Sequence, residues 1–342
     1  MDLDWSHWRS CHVHYHGDGD RLLLHLVHPL VATLLAAGAI DRFFFVRYEL
    51  GGPHVRLRLR ALPGRSGEVE AAVAEAATAF LALHPSVRPL PPETVERRTR
   101  EILAADPGES DATLYPDNSF RFVPFLPEVD RYGGPERIGL SLDFFGLSSA
   151  HALELLRLFA GAPWPRRIPR VLCALAAHAL GFARDEAELL RLLGYAAVPA
   201  GHPLASWAAR GDRIFEERPE AFRALLASLA GAGETELLAA ARRLAAGAGR
   251  AAPPARELLF KSHMHMTANR LGLRNPEEAC VGRILWRAAH DSGRLAPGLR
   301  EAWRPQEPPL DGGDGLEDLL RTVLSAMRSS DLGSTIRPGA GL

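Results

Sequence analysis

Arginine stands at three alternate positions, 56, 58 and 60, of the segment FFFVRYELGGPHVRLRLR, which runs from Phe43 to Arg60. Side chains two apart on a strand share a face. Arg56, Arg58 and Arg60 therefore set three guanidiniums in a row, while Val55, Leu57 and Leu59 line the other side. Guanidiniums grip carboxylates and phosphates through paired donors, so the row suits an anionic ligand. Taken alone, it also suits the charged outer face of an edge strand, which discourages aggregation.

Two further clusters could do chemistry. In FLPEVDRYGGP, Glu128 and Arg131 are three residues apart, with Asp130 and Tyr132 beside them. In a helical turn that spacing puts the carboxylate and the guanidinium on one side, as a local ion pair or as a brace for other arginines. In LLFKSHMHMTANRLG, helical spacing gathers Ser262, His265 and Asn269 into a polar row, with Phe260, Met264 and Leu271 on roughly the opposite side. His263 points about 160° away from His265 on that wheel. Only one of the two can face a given cleft, and His265 has the better-lined position. Histidine exchanges protons near neutral pH, although a core histidine bonded to a backbone carbonyl fits the same pattern. A fourth group, His12, His14 and His16 of CHVHYH, alternates as on a strand and is expected to face solvent rather than to ligate a metal.

The elements that must carry these groups are legible in outline. DRLLLHLVHPLVATLLAAG reads as a helix opened near Asp18 or Asp20 and stopped at Gly38. Two β-rich runs around Gly51, Gly52 and Pro53 read as a hairpin. SGEVEAAVAEAATAFLALH and the stretch from Glu93 to Ala105 read as helices, and the segment from Asn118 as extended. Beyond about Leu147 the pattern is almost purely helical, and from about Ser330 it reads as a disordered tail. The fold class predicted is α+β: a sheet-containing part over 1–147, a helical part of the same unit over 148–329, and a tail over 330–342. An N-terminal antiparallel sheet with flanking helices would pack on a mostly helical C-terminal portion.

The 342 residues suit one large domain or two closely packed ones. A formal net charge of -1 leaves no global field to recruit nucleic acid or an anionic membrane. Of 40 basic residues only Lys261 is a lysine, so the abundance of arginine carries little and its placement carries more. Cys11, Cys173 and Cys280 lie far apart with no CxxC and are expected to be reduced thiols of a cytoplasmic protein. No signal peptide and no membrane-spanning run are visible.

Taken together and in this order, FFFVRYELGGPHVRLRLR, PEVDRYGG and HMTANRLG resemble the C-terminal domain of lantibiotic dehydratases. That domain also occurs free-standing, as the thiopeptide-type bacteriocin biosynthesis family. The resemblance spans roughly Trp8 to Asp291. It implies a bacterial, cytoplasmic lyase that eliminates glutamate from glutamylated Ser or Thr of a precursor peptide, giving dehydroalanine or dehydrobutyrine. By motif, the elimination residues map onto Arg56, Arg58, Glu128, Arg131 and His265. Tyr48, His54, Tyr132, Asn269 and Arg270 are expected to bind substrate. No metal or organic cofactor is implied. The partners implied are the precursor peptide, core and leader, and a separate tRNA-dependent glutamylating subunit, with a homodimer left open. Membrane and direct nucleic-acid contacts are not expected.

The same family contains thiopeptide pyridine synthases, which join two dehydroalanines in a formal [4+2] cycloaddition with loss of the leader peptide. The filled motif positions favour elimination. A non-catalytic subunit that binds peptide along a sheet edge is the third reading. A peptide aminoacyl-tRNA ligase is not expected, because the chain lacks a large tRNA-using domain.

Overall fold

The computed structural model describes residues 4–105, 113–161, 164–196, 203–231, 236–247, 255–304 and 315–329. The expected tail over 330–342 lies outside the described residues. Strand β1 (Trp8–His14) leads to helix α1 (Gly19–Leu22), a π-helical turn (Leu23–Val27) and α2 (His28–Ala36), which run on continuously. Asp18, one of the two openings the sequence allowed, caps this run by accepting from the Asp20 amide. Strands β2 (Ile40–Tyr48) and β3 (His54–Ala61) form the hairpin, followed by α3 (Ser66–Leu83), α4 (Pro92–Ala105) and β4 (Ser119–Val123). The rest is helical apart from a two-residue hairpin: α5 (Ile138–Leu158), α6 (Trp164–Phe182), α7 (Glu186–Ala196), α8 (Ala205–Glu217), α9 (Pro219–Gly231), α10 (Glu236–Gly247), α11 (Ala255–Arg270), α12 (Asn275–Ala289), β5 (His290–Asp291), β6 (Arg294–Leu295), α13 (Pro297–Ala302) and α14 (Gly315–Ser329). The chain is α+β, with an antiparallel N-terminal sheet and a mostly helical C-terminal portion.

The sheet order is β2-β3-β1-β4. β3 is therefore a central strand, and its arginines are not the fringe of an edge strand. The β2–β3 turn needs glycine at position 51. Its φ is +74°, and a Cβ there would meet the Thr113 carbonyl at 2.4 Å. One face of the sheet carries Cys11, Val13, Phe43, Phe45, Val55, Leu57 and Leu59, all buried, with α3 packed on β1 and β3. Each large apolar side chain so buried contributes about 1.5–3 kcal/mol. The alternation that buries this face fixes the opposite one. There Ser10, His12 and His14 oppose Arg58, Arg56 and His54, and these in turn oppose Phe44, Val46 and Tyr48.

The outer edge of β2 is covered by helices, which protects it from pairing with another chain. Gly146 lets α5 approach, since a Cβ there would lie 3.1 Å from the Phe43 carbonyl. Ser149 of α5 accepts from the Phe45 amide at 3.2 Å. Arg42 of β2 is held by Asp143 of α5 and Glu317 of α14. Farther along, Asn269 of α11 serves as a substitute strand: its Oδ1 accepts from the Arg47 amide at 2.9 Å and its Nδ2 donates to the Arg47 carbonyl at 2.8 Å. Asn269→Ala is expected to cost about 2 kcal/mol, at ~1 kcal/mol per bond lost, read as a lower urea midpoint with an unchanged m-value.

Candidate functional site

The three strand arginines are not equivalent. Arg60 is paired through two nitrogens with Asp41. Arg56 lies over the Tyr48 ring at 3.7 Å, and its Nε donates to His54 Nε2 at 3.2 Å. His54 can accept because its Nδ1 donates to the Gly52 carbonyl at 2.8 Å. Tyr48 and His54, both expected beside substrate, thus hold Arg56 between them. Arg58 donates to Ser10 Oγ at 2.5 Å and sits 5.8 Å from the Phe125 ring. Among the described residues no carboxylate lies within 4 Å of it. Burial, then the charge of Arg56, pull its pKa from the usual 12.5 down to about 9. It remains a cation at neutral pH, half-buried and with no carboxylate partner among the described residues.

The strand histidines differ from expectation. His12 and His14 are buried, at 7% and 1% exposure. Their rings and that of His54 form a stack with centroids 4.6–5.0 Å apart, extended by Tyr115 at 4.8 Å from His14. The reason is the central position of β1, which sets its histidines between the side chains of β3 and those of β4, with Arg121 opposite His12. Burial is the main cause that keeps all three imidazoles neutral, with Arg58 reinforcing it at His12 and Arg121 at His14, whose pKa falls to about 4. Among the described residues no group of His, Cys, Asp or Glu is arranged to hold a metal ion. The result is a neutral imidazole floor beside guanidiniums.

The middle motif forms a short 3-10 turn (Asp130–Tyr132). Glu128 and Arg131 pair at 3.2 Å, on the surface. Tyr132 turns inward, where it meets Phe145 at 5.0 Å and His263 at 5.4 Å. Burial raises its phenol to about 12. A chain of rings joins this turn to the arginine strand: Phe125 beside Arg58 touches Phe44 at 6.0 Å, and Phe44 touches Phe145 at 5.6 Å.

In α11 the two histidines take opposite environments. His263 is fully buried; its Nδ1 donates to the Leu259 carbonyl at 2.8 Å and its Nε2 accepts from Ser141 Oγ at 3.1 Å. It fits the core histidine. His265 is partly exposed, and its Nδ1 lies 2.7 Å from Glu278 Oε2 of α12. One turn later Asn269 docks on Arg47, so the helix motif meets the strand motif at the β2 end that also carries Tyr48. With its amide engaged by backbone, Asn269 holds the two motifs together instead of reaching into a cleft.

Arg270, also expected to meet substrate, is 0% exposed. Its Nε donates to Ser149 Oγ at 2.9 Å and its guanidinium lies 4.6 Å from the Phe145 ring, while Nη1 and Nη2 have no hydrogen-bond partner among the described residues. Burial lowers its pKa from 12.5 to about 9, a penalty of roughly 5 kcal/mol. Arg270→Met relieves that penalty but loses one hydrogen bond and a cation–ring contact. It is expected to stabilise the fold by about 2 kcal/mol at pH 7. The folded-state pKa is the depressed one, so the penalty is full below about 9 and fades above it. The gain of the variant, read from denaturation midpoints, should therefore shrink as pH rises through 9.

Two residues, Glu278 and Arg121, went unseen in the sequence, and His12 was expected on the solvent side. Glu278 carries no motif and reaches His265 only because the chain turns at Gly272, between α11 and α12. His12 joins the arginine face through the β1–β3 pairing, which sets it opposite Arg56, and Arg121 joins it through the β1–β4 pairing. The His12–His14 alternation was the single available signal, and it gives no direction.

The model of the lantibiotic biosynthesis dehydratase C-terminal family matches residues 8–289. Among solved structures, the chain is similar to the pyridine synthase TbtD from thiomuracin biosynthesis, with TM-score 0.64 and 20% identity over 83% of this chain and 97% of that one. It is similar to TsrL with TM-score 0.56 and 17% identity over 92% and 98% of the two chains. It is also similar to the tRNA-dependent lantibiotic dehydratase MibB from Microbispora sp. 107891, with TM-score 0.54 and 18% identity over 84% of this chain and 28% of MibB. At these identities the likeness is one of fold. No curated protein matches.

Proposed function

The chain belongs to the lantibiotic biosynthesis dehydratase C-terminal family, and on that footing we propose that it eliminates glutamate from glutamylated Ser or Thr of a precursor peptide. The observation that supports this most is Arg58, a half-buried guanidinium beside Arg56 with no carboxylate within 4 Å among the described residues. A cation held this way is costly unless an anion visits it. β-Elimination of a glutamyl ester brings one: negative charge develops on the peptide carbonyl as the α-proton leaves, and on the departing carboxylate as the Cβ–O bond breaks. Donors already in place for such charge need no reorganisation during the reaction. In this reading Arg58 and Arg56 receive the developing charge. Glu128 and Arg131 border the substrate, and His265 carries the proton. His54 and Tyr48 hold Arg56 in place. The glutamylated peptide comes from a separate glutamylating subunit, in the bacterial cytoplasm.

The likeness in extent to TbtD, 97% of whose chain is covered, supports cycloaddition of two dehydroalanines as the second reading. One pair of incubations separates the two. A peptide bearing glutamylated Ser is expected to lose glutamate, read by mass spectrometry. A peptide bearing two dehydroalanines is expected to stay linear. A pyridine macrocycle from the second peptide, with no loss from the first, would replace our reading.

A further inference from the structure

Glu278 answers a question that the reading above leaves open: whether His265 gives or takes a proton. Resting on the reading of His265 as the proton carrier, we infer that Glu278 is its positioning residue, fixing the Nδ1–H tautomer so that Nε2 is the base for the α-proton. The two side chains come from different helices and meet at 2.7 Å, Glu278 Oε2 accepting from His265 Nδ1. The His265 side chain is 36% exposed and that of Glu278 21%, so the imidazole can meet a ligand while the carboxylate stays behind it. The neighbouring Glu277 is engaged by Arg274, through 2.9 Å bonds to its amide and its Nη2. The adjacent carboxylates thus have separate partners, and α12 presents Glu278 from its first turn. The other imidazole of the motif, His263, has both nitrogens engaged inside the core and cannot take this role.

The step balances. Nε2 accepts the α-proton; the C–H electron pair forms the Cα=Cβ bond; the Cβ–O pair leaves with glutamate as a carboxylate. The imidazolium so formed faces the Glu278 carboxylate, which stabilises it, and later returns its proton to solvent. A carboxylate behind the ring favours the base role over the acid role, because it stabilises the charged product of proton uptake.

The test uses the full chain and a peptide bearing glutamylated Ser. Glu278→Gln is expected to lower kcat by about 10- to 100-fold, part of the ~10²–10⁴ that a placed proton carrier contributes, with KM unchanged. Glu278→Asp should recover most of the rate. Independently of activity, imidazole 1H–15N correlation spectra of the wild-type chain, with the His265 signal assigned by its loss in His265→Ala, should show Nδ1 protonated and Nε2 bare at alkaline pH. A Glu278→Gln enzyme with wild-type kcat, next to an inactive His265→Ala, overturns the role of Glu278 and leaves the proton carrier standing. So does an Nε2–H tautomer in the wild type, even if Glu278→Gln fails to fold. Full activity of His265→Ala removes the proton carrier itself and this inference with it.

Discussion

Arg58→Met is expected to lose elimination by about 10²–10³-fold, the usual effect of removing one preorganised donor to a developing oxyanion, while folding no less stably than the wild type. The two halves of the result come from one fact. Burial and Arg56 already pull the Arg58 pKa down to about 9, so in the absence of ligand the folded state holds a cation it would be better off without. Methionine keeps much of the stem against Phe125 and removes the charge; what it gives up is the bond to Ser10. A role confined to architecture would show the reverse, a lower unfolding midpoint with turnover intact. Glutamylated peptide should accumulate, visible as a persistent mass increment. Arg60→Met is the control: its charge is taken up by Asp41, so its loss should leave turnover near wild type.

His265→Ala is expected to lower turnover by about 10²–10⁴-fold, the range that general acid–base catalysis spans, with little change in stability for a partly exposed side chain. His263→Ala should do the opposite. That ring is buried, bonded at both nitrogens and packed among Tyr132, Phe144 and Phe145, so its removal leaves a cavity and costs about 2–4 kcal/mol. Comparing rates per folded molecule in the two variants separates proton transfer from packing. A His263→Ala chain that folds but does not turn over, beside an active His265→Ala, would assign the roles the other way round.

What could be read in advance follows from which interactions are local. The β2–β3 hairpin was legible because Gly51, Gly52 and Pro53 encode its turn. The opposite directions of His263 and His265 were legible because helical geometry sets them. The polar company of Ser262 and Asn269 favoured His265 for a cleft, but the pattern alone left a core histidine open, and only the packing of α11 assigns that place to His263. The placement of β3 was not legible. Strand order depends on β1 inserting between β3 and β4, a long-range choice with no local signature, and it turned a presumed charged fringe into a half-buried face. It also buried His12 and His14, which alternation alone would send to solvent as readily. The helical stretch expected from about Leu147 begins at Ile138 instead, since nothing after the Gly133–Gly134–Pro135 turn interrupts α5. Glu278 was invisible for the same reason as the strand order: its partner is thirteen residues away across the turn at Gly272.

The clasp between the Asn269 amide and the Arg47 backbone bears on how relatives of this chain can be recombined. A hairpin and a late helix grafted from different parents would have to agree on the pitch of β2 and the axis of α11 to within the reach of two hydrogen bonds. Chimeras that exchange residues 40–61 and 255–270 as a linked pair should therefore survive more often than those that trade either block alone, and the junctions to choose are the loops outside both.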